Sequence, residues 1–413
     1  MLIVATEESI MQKSFWQAGH KPTLFSAFLY FDLSFMVWVL LGPLAVQMAV
    51  DLQLTAAEKG MMVATPVLAG ALLRIVMGVL VDHIKPKMAG LVGQVIVIIA
   101  LAVAWLHGIH NFQQALMLGI FLGFAGASFA VALPLASRWY PPEHQGTALG
   151  IAGAGNSGTV FAALFAPGLA VLFGWNNVFG LALIPLLIVF VIYAIYAKDS
   201  PDTPPAKSLS QYVTILRDKD AWWFMFFYSV TFGGFVGLAS SLTIYFNDLY
   251  NLGPVVAGYC TAAAVFSGSL ARPIGGMIAD RIGGIRTLLT MYAIAALLLL
   301  AMSFGQPNLT SSLSIVIPVM AVLGMGNGAV FQLVPQRFRK EIGVMTGLVG
   351  MAGGIGGFYL AASLGWFKQI TGSYQLGVLI FAGLAVLAII GLASVKTRWR
   401  TTWGSSTATS AKV

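Results

Sequence analysis

Long apolar runs separated by short polar segments dominate the pattern of hydrophobic and polar positions along this 413-residue chain. A helix needs roughly 20 apolar residues to cross the hydrocarbon core of a bilayer. Twelve runs fit that length, and they predict transmembrane helices at 23–48, 57–82, 88–107, 113–135, 144–172, 176–197, 221–248, 255–280, 285–304, 313–335, 342–366 and 373–395. The pattern therefore predicts an all-α integral membrane protein with twelve spans.

A charged, proline-bearing stretch at 198–220 divides the twelve runs into two sets of six. We predict one six-helix bundle at 23–197 and a second at 221–395, joined by this linker and flanked by polar tails at 1–22 and 396–413. An even number of spans in each half places both tails and the linker on one side of the membrane. Pseudo-symmetric halves of this kind are typical of secondary transporters, whose substrate sites lie between the repeats.

Composition and charge fix the class and the orientation. The chain is 58% hydrophobic and 9% charged, whereas a soluble protein carries about 25% charged residues. Eighteen of the 22 Lys and Arg residues fall on the side of the tails and linker, and only Lys59 and Lys368 fall on the other. Because cytoplasmic loops are enriched in Lys and Arg, we predict a multi-pass protein of the cell membrane with both termini in the cytoplasm. The net charge of +8 then reflects topology and attraction to lipid headgroups, and no nucleic-acid partner is expected.

Two arginines lie inside predicted spans, where a charge costs at least about 2.5–3.5 kcal/mol. Arg74 belongs to the second run and Arg272 to the eighth. Such residues face the protein interior and mark substrate pathways. Each is followed by Gly at the fourth position and Asp at the eighth, and the two are 198 residues apart. We infer two related halves that face each other across a central site and contribute one guanidinium each.

The segments after the second and eighth runs, GVLVDHIKPK (78–87) and GGMIADRIGGIR (275–286), resemble the G-x-x-x-D-R-x-G-R/K loop of the major facilitator superfamily. The second matches well, while the first has His83 in place of the usual Arg and Lys85 in place of the usual Gly. In that superfamily the Asp caps a neighbouring helix and helps to latch the cytoplasmic face. The resemblance implies a cytoplasmic gate that contains Gly78, Asp82, Gly276, Asp280 and Arg281.

Glycine is concentrated in two of the predicted helices, GTALGIAGAGNSG (146–158) and GVMTGLVGMAGGIGG (343–357). Spacings of three and four residues place the glycines on one helix face, where they permit close backbone approach. One such stripe is ordinarily a packing feature, but here each half carries one. We therefore treat as signature glycines Gly150, Gly153, Gly155, Gly158, Gly350, Gly353, Gly354 and Gly357.

Together with YFDLSFMVWVLLGPL in the first run and GMGNGAVFQLVPQRF in the tenth, these helices resemble the nitrate signature segments of the nitrate/nitrite porter family within the major facilitator superfamily. The resemblance extends from residue 24 to 395. It implies a transporter of nitrate, and of nitrite as a second substrate, with the major facilitator fold.

The resemblance also implies roles for individual residues. One arginine from each half grips the anion, a tyrosine of the seventh span contacts it, and aromatic rings lie above and below it. For the two phenylalanines ordinary packing is the alternative, since the chain has 27 Phe. The asparagine of the first signature is Asn156. We add Asn327 of the tenth run to the predicted site, because a buried amide needs hydrogen-bond partners. The predicted substrate-binding residues are Arg74, Arg272, Tyr228, Phe129, Phe232, Asn156 and Asn327.

The chemistry of two opposed arginines agrees with this assignment. A guanidinium is planar, permanently charged and offers a fork of donors, and nitrate is planar with three acceptor oxygens. Nitrite presents two oxygens in similar geometry, so we expect weak discrimination between the two anions. When the site is empty the two cations repel each other, and a bound anion permits the halves to rock about it. This behaviour fits nitrate/nitrite exchange.

Asp32 is the only acidic residue deep in a predicted span. An apolar setting favours the protonated form of a carboxyl, and monoanion entry opposes an inside-negative potential by about 2.3 kcal/mol per 100 mV. Asp32 is therefore the candidate proton carrier for nitrate/proton symport. The alternative is that Asp32 caps or hydrogen-bonds a neighbouring helix, and symport and exchange both remain open.

Two other functions are compatible with the sequence. One is a porter for another small monoanion, such as formate or a short carboxylate. The other is a non-transporting sensor on the same scaffold, which would need a signalling domain larger than the predicted tails. No nucleophile–base constellation and no phosphate loop are visible, so neither an enzyme nor an ATP-driven pump is expected. We predict no cofactor and no metal site, and expect the protein to function as a monomer.

Overall fold

The computed structural model describes residues 14–201, 209–339 and 341–404, and all regular secondary structure in these ranges is helical. The N-terminal half contains α1 (Phe15–Ala18), α2 (Lys21–Trp38), α3 (Leu41–Asp51), α4 (Ala56–Ile84), α5 (Pro86–His107), α6 (Phe112–Gly126), α7 (Phe129–Ser137), α8 (Pro142–Gly153), a 3-10 turn (Ala154–Ser157), α9 (Gly158–Phe173) and α10 (Trp175–Tyr196). The C-terminal half contains α11 (Leu209–Ile215), α12 (Lys219–Tyr250), α13 (Pro254–Ile282), α14 (Gly284–Ser303), α15 (Leu309–Arg337), α16 (Ile342–Thr371) and α17 (Gln375–Thr401).

Twelve segments within the described ranges are helical, long and apolar enough to cross a membrane. The pairs α2–α3 and α6–α7 each form one of these segments, as does α9 together with the last part of α8 and the 3-10 turn. The prediction of an all-α protein with twelve spans is therefore confirmed.

Matching caps begin corresponding helices in the two halves. Asn111 precedes α6 and accepts a hydrogen bond from the N–H of Gln114 at 2.9 Å, and Asn308 precedes α15 and accepts one from Ser311 at 2.8 Å. Asn is a strong N-cap because its side chain satisfies a backbone N–H that has no intrahelical partner. The two caps are 197 residues apart, close to the offset between the two arginines, so the repeat extends to the helix ends.

Three spans of the N-terminal half are interrupted. The interruptions lie at Val39–Leu40 between α2 and α3, at Ala127–Ser128 between α6 and α7, and at the 3-10 turn between α8 and α9. The corresponding helices of the C-terminal half, α12, α15 and α16, are continuous over 32, 29 and 30 residues. Helix breaks within a membrane leave carbonyl groups that must find partners inside the protein.

Several boundaries differ from the sequence predictions. α4 and α13 have 29 residues each, about 44 Å at 1.5 Å per residue, which exceeds a bilayer core of about 30 Å. Helices of this length project beyond the membrane. Asp82 and Asp280 lie in their last turns and not in loops.

The predicted linker, 198–220, is also partly helical, since it contains α11 and the first residues of α12, while 202–208 lie outside the described residues. At the other end α17 continues to Thr401, into the predicted tail. Trp399 explains the extension, because its fully buried indole donates a 2.7 Å hydrogen bond to Asp220 on α12. The remaining parts of the predicted tails, 1–13 and 405–413, lie outside the described residues.

The two halves meet mainly along two pairs of helices, α4 with α16 and α13 with α9, and α12 also contacts α3 and α4. Glycines permit the close approach: a Cβ added at Gly60 would lie 2.8 Å from the Cα of Gly365, and one added at Gly258 would lie 2.6 Å from a carbonyl of α9. These contacts leave a cavity between the halves on one side of the contact zone. We propose that the two six-helix bundles correspond to residues 23–197 and 221–395.

Candidate anion site

A cavity of about 1340 Å³ lies between the two halves. Its inner end is lined by Arg74 and Arg272, and it extends to the face formed by the ends of α4 and α13 and by α11, here called the linker face. All five predicted gate residues line it: Gly78, Asp82, Gly276, Asp280 and Arg281.

Asp82 contributes to the structure of the linker face. Its carboxylate accepts a hydrogen bond from Arg138 at 3.3 Å, which joins the end of α4 to the end of α7. Tyr212 of α11 also lines the cavity, and its hydroxyl would lie 3.4 Å from a Cβ added at Gly78. Burial and the nearby charge of Asp82 raise the pKa of Tyr212, so its hydroxyl stays protonated at neutral pH.

Arg74 is almost completely buried, with 2% of its surface exposed. Its Nε donates to the carbonyl of Gly126 at 3.3 Å, and its Nη1 donates to the carbonyl of Gly350 at 2.6 Å. The first carbonyl lies at the end of α6, where the break leaves it without an intrahelical partner. The buried Nη2 has no hydrogen-bond partner in the part of the chain that the structure describes, and no described carboxylate forms an ion pair with Arg74.

Aromatic rings surround the Arg74 guanidinium. Its central carbon lies 5.2 Å from the ring centroids of both Phe129 and Phe232, and 5.6 Å from that of Trp38. A cation within about 6 Å of a ring is attracted by the electron-rich face, by ~2 kcal/mol or more when desolvated. Rings and carbonyl dipoles thus compensate the buried charge.

Arg272 has a different environment, because it is only partly buried. Its charge interacts with the nearby Tyr228 side chain, and its guanidinium carbon is 5.8 Å from the ring of Phe331. Tyr228 stacks on Phe232 with centroids 5.1 Å apart and meets Phe331 edge-on at 5.0 Å. One aromatic wall therefore connects the surroundings of the two arginines.

Sequence reasoning missed Phe331 and Trp38. Both lie inside the quoted segments, but nothing in their spacing distinguishes them among 27 Phe and 10 Trp. The repeat gives no signal for Phe331 either, because the offset of 201 between Pro134 and Pro335 pairs it with Ala130 and not with Phe129.

The two predicted asparagines are placed differently. Asn156 lies in the 3-10 turn and lines the cavity. Asn327 is buried behind the wall, and its Oδ1 has no partner among the described residues. The cavity-facing positions of α15 recur every three to four residues from Gly328, and a position one residue earlier is rotated by about 100° around the helix axis. This rotation explains why Asn327 is not among the lining residues.

Asp32 is buried and lies outside the cavity lining. Its Oδ1 accepts a 2.7 Å hydrogen bond from the hydroxyl of Ser157. A Cβ added at Gly158 would collide with the Asp32 carbonyl. Asp32 therefore fastens α2 to the turn that carries Asn156, which is the arrangement that the capping alternative predicts. The proton-carrying role stays a prediction.

The signature glycines form three groups. Those of α16 are packed: Gly350 against Arg74, Gly353 against Tyr228, and Gly354 with an added Cβ 2.5 Å from that of Ala71. Gly357, also on α16, is packed against Val236. Gly155 and Gly158 form the second group and are packed against Phe31 and Asp32 respectively.

Gly150 and Gly153 form the third group. They line the cavity, and a Cβ added at either would meet nothing within 4 Å. The predicted close packing is therefore not observed for these two, because the halves are apart where they lie.

The halves are held together at the face opposite the linker face, here called the far face. Lys59 of α4 lies 3.2 Å from the carboxylate of Asp248 on α12, and the Tyr374 hydroxyl donates to the same carboxylate at 2.6 Å. The backbone N–H of Ala56 donates to the side chain of Gln369 at 3.1 Å. The cavity is thus accessible from the linker face and closed toward the far face.

Comparisons with known proteins agree with this architecture. A bacterial homologue of the human lysosomal transporter Spinster, solved in an inward-facing and occupied conformation, superposes with a TM-score of 0.69 over 91% of this chain and 96% of that chain, at 17% identity. That likeness concerns the fold alone. The Major Facilitator Superfamily profile matches residues 26–361.

Curated relatives are similar over most of their length. The nitrite extrusion protein of Bacillus subtilis (strain 168) is 31% identical over 86% of this chain and 89% of its own. The probable nitrate/nitrite transporter NarK2 of Mycobacterium tuberculosis (strain ATCC 25618 / H37Rv) is 33% identical over 86% of this chain and 91% of its own. Twelve spans, a cavity with one arginine from each half and these similarities lead to one conclusion: the chain belongs to the nitrate/nitrite porter family of the major facilitator superfamily.

Proposed function

We propose that this protein transports nitrate, with nitrite as a second substrate, across the cell membrane by alternating access, and that the anion binds between Arg74 and Arg272. The names of its relatives support the substrates. The observation that carries the binding site is the Nη2 of Arg74, a buried cationic donor without a described partner. Buried polar groups are normally hydrogen-bonded, so this donor is available to an anion that enters the cavity.

An anion between the arginines would complete the hydrogen bonding of this site. Nη2 of Arg74 donates to one oxygen and Arg272 to another, and charge-assisted hydrogen bonds are about twice as strong as neutral ones. Phe129 and Phe232 restrict the space to a flat ligand. A chloride ion would be attracted by the same two positive charges, but it could not match the planar fork of guanidinium donors.

The same geometry supports a transport cycle. The linker face, which we place in the cytoplasm, is open in this structure. Without an anion, two positive charges resist the approach of the halves, whereas a bound monoanion neutralises part of that charge. The mouth between α4 and α13 then closes, and the far face opens by separation of Lys59 from Asp248. An empty carrier turns over slowly, which favours exchange of nitrate for nitrite.

We propose exchange rather than proton symport because Asp32 is engaged with Ser157 and lies outside the cavity lining. The experiment is nitrate uptake into proteoliposomes with an empty lumen, with a nitrite-loaded lumen, and with an imposed inward proton gradient. We expect uptake mainly with internal nitrite. Proton-driven uptake into an empty lumen would instead establish symport.

The arginine site is tested in the same assay with Arg74→Lys and Arg272→Lys, which keep the charge and remove the planar fork. Both should lower nitrate uptake by at least about tenfold, since a bidentate site does not tolerate this exchange. Arg400→Lys is the matched control, because that side chain is exposed and lies outside both gate segments. Near-normal uptake by both site variants would refute the proposed binding site. Excess formate competing better than nitrite would point to the rival monoanion porter.

A further inference from the structure

Trp38 is the last residue of α2 and is fully buried, beside the break that separates α2 from α3. Its indole Nε1 donates a 2.7 Å hydrogen bond to the carbonyl of Pro66, two helical turns before Arg74 on α4. Its ring centroid is 5.6 Å from the Arg74 guanidinium carbon. Trp38 therefore contacts both the helix that carries Arg74 and the charged group itself.

Two glycines form the space that holds this indole. A Cβ added at Gly70 of α4 would lie 2.8 Å from the indole nitrogen, and a Cβ added at Gly126 of α6 would overlap the indole ring. Gly126 is also the residue whose carbonyl accepts the hydrogen bond from Nε of Arg74. The indole thus packs against the residue that holds one edge of the guanidinium.

We propose that Trp38 is a positioning residue of the anion site, which sets the orientation of the Arg74 guanidinium so that Nη2 is left for the anion. This inference rests on the proposed function, in which Arg74 binds the anion. An arginine side chain has several rotatable bonds and loses considerable rotamer freedom when it is fixed. Arg74 borders a cavity large enough for other rotamers, and no described carboxylate holds it.

The restraint on Arg74 comes from opposite sides. The Gly126 and Gly350 carbonyls fix Nε and Nη1. The indole fills the space between α2, α4 and α6, behind the guanidinium. A smaller ring at position 38 would leave room in which the guanidinium tilts, and the anion would lose its aligned donor. Binding is then weakened more than the later steps of transport.

The test compares Trp38→Phe with the wild type in nitrate uptake by proteoliposomes and in nitrate binding by the purified full-length protein, measured by isothermal titration calorimetry. Phe keeps an aromatic face but removes the N–H and part of the ring. We expect KM and Kd for nitrate to rise about tenfold, the size expected when the charged hydrogen bond from Nη2 of Arg74 to the anion is weakened, with kcat within about twofold of the wild type. A merely structural role would instead lower the amount of folded protein and leave KM unchanged.

The control is Trp222→Phe. Trp222 also donates its indole N–H to a backbone carbonyl, that of Leu216 at 2.8 Å, but it is exposed and remote from the site. Its nitrate KM should equal that of the wild type. Trp38→Tyr is a second conservative variant in case Trp38→Phe does not fold, and we expect a KM between the wild-type and Phe values.

A double variant separates this inference from the proposed function. If Trp38 acts through Arg74, nitrate binding by Trp38→Phe/Arg74→Lys should equal that by Arg74→Lys alone, because coupled residues are not additive. Additive losses, or a wild-type KM for Trp38→Phe, would overturn the positioning role while Arg74 keeps its own. An unchanged Kd in Arg74→Lys would instead refute the anion site itself.

Discussion

The N-terminal half interrupts its first, fourth and fifth spans, whereas the corresponding helices of the C-terminal half are continuous. The arginines reflect this difference. Arg74 binds a carbonyl at the end of α6, where a helix break makes that carbonyl available, and is almost completely buried. Arg272 lies opposite an unbroken α15, near Tyr228 and one further aromatic ring, and is only partly buried. Related sequences have thus produced one buried cation that two carbonyls tether and one cation that is only partly buried.

The difference between the surroundings of Arg74 and Arg272 has a physical basis. A continuous helix uses its own carbonyl groups for i to i−4 hydrogen bonds, so only second lone pairs remain for a side chain. A break leaves carbonyls without partners, and in a membrane these need donors from within the protein. We infer that Arg74 provides a fixed anchor and that Arg272 follows the anion as the halves close.

The largest expected effect is the difference between the two arginines. Arg74→Lys should lower nitrate transport about tenfold more than Arg272→Lys, because a lysine cannot satisfy the Gly126 and Gly350 carbonyls at once and Lys lacks the planar fork. Initial rates in proteoliposomes measure this ratio, after correction for the amount of reconstituted protein. Equal losses in the two variants would contradict the assignment of a fixed and an adjustable cation.

The glycine stripes provide the next test, because all four signature glycines of α16 are packed whereas Gly150 and Gly153 of the N-terminal half are not. Gly354→Ala should lower the stability of the purified protein by about 1–3 kcal/mol, since overpacking a tight interface costs that much and the added Cβ would lie 2.5 Å from that of Ala71. Gly150→Ala faces open space and should be neutral or stabilising by up to about 1 kcal/mol through helix propensity. Thermal unfolding in detergent distinguishes the two. A loss of stability in Gly150→Ala equal to that in Gly354→Ala would show that both stripes are packed in solution.

The next prediction concerns the hydrogen bond between Asp32 and Ser157, which joins α2 to the 3-10 turn that interrupts the fifth span. Val230 occupies the corresponding place in the C-terminal half at the offset of 198, where α16 is continuous and needs no brace. Asp32→Asn keeps an acceptor for Ser157 and should preserve nitrate/nitrite exchange, with a loss of stability of about 1 kcal/mol. Exchange assays and thermal unfolding on the same preparation check both statements. Loss of exchange in a well-folded Asp32→Asn protein would show that this carboxylate takes part in transport.

The sequence predicted the class of fold and part of the site, and the reasons differ from residue to residue. Apolar length is a property of each segment by itself, so the twelve spans could be counted directly. Arg74 and Arg272 stood out because charge is rare in lipid. The breaks at Val39–Leu40 and Ala127–Ser128 are not visible in the sequence, because the residues around them are as apolar as the helices they join.

Other features depend on contacts between segments that are distant in the chain. Trp38 and Phe331 belong to the site only because α2 and α15 bring them to the arginines. Gly150 and Gly153 show a further limit, since a glycine pattern indicates that two helices can approach each other but not in which conformation they do so. The open space beside these two glycines follows from a cavity that is open at the linker face.

The smallest expected effect concerns the turn after α4, where Lys85 of the N-terminal half corresponds to Gly283 of the C-terminal half. Lys85 has φ 70° and ψ 156°, and Gly283, its counterpart after α13, has φ 99° and ψ 140°. This backbone region costs a non-glycine residue about 1–3 kcal/mol, and Pro86 keeps Lys85 from relaxing into the α region. Glycine would remove that strain but lose about 0.5–1 kcal/mol to its greater freedom in the unfolded chain. Lys85→Gly should therefore stabilise the protein by roughly 1 kcal/mol, measured by thermal unfolding. Lys85→Ala removes the same charge but keeps the Cβ, so an equal gain in that variant would show that charge, and not backbone strain, distinguishes the two turns.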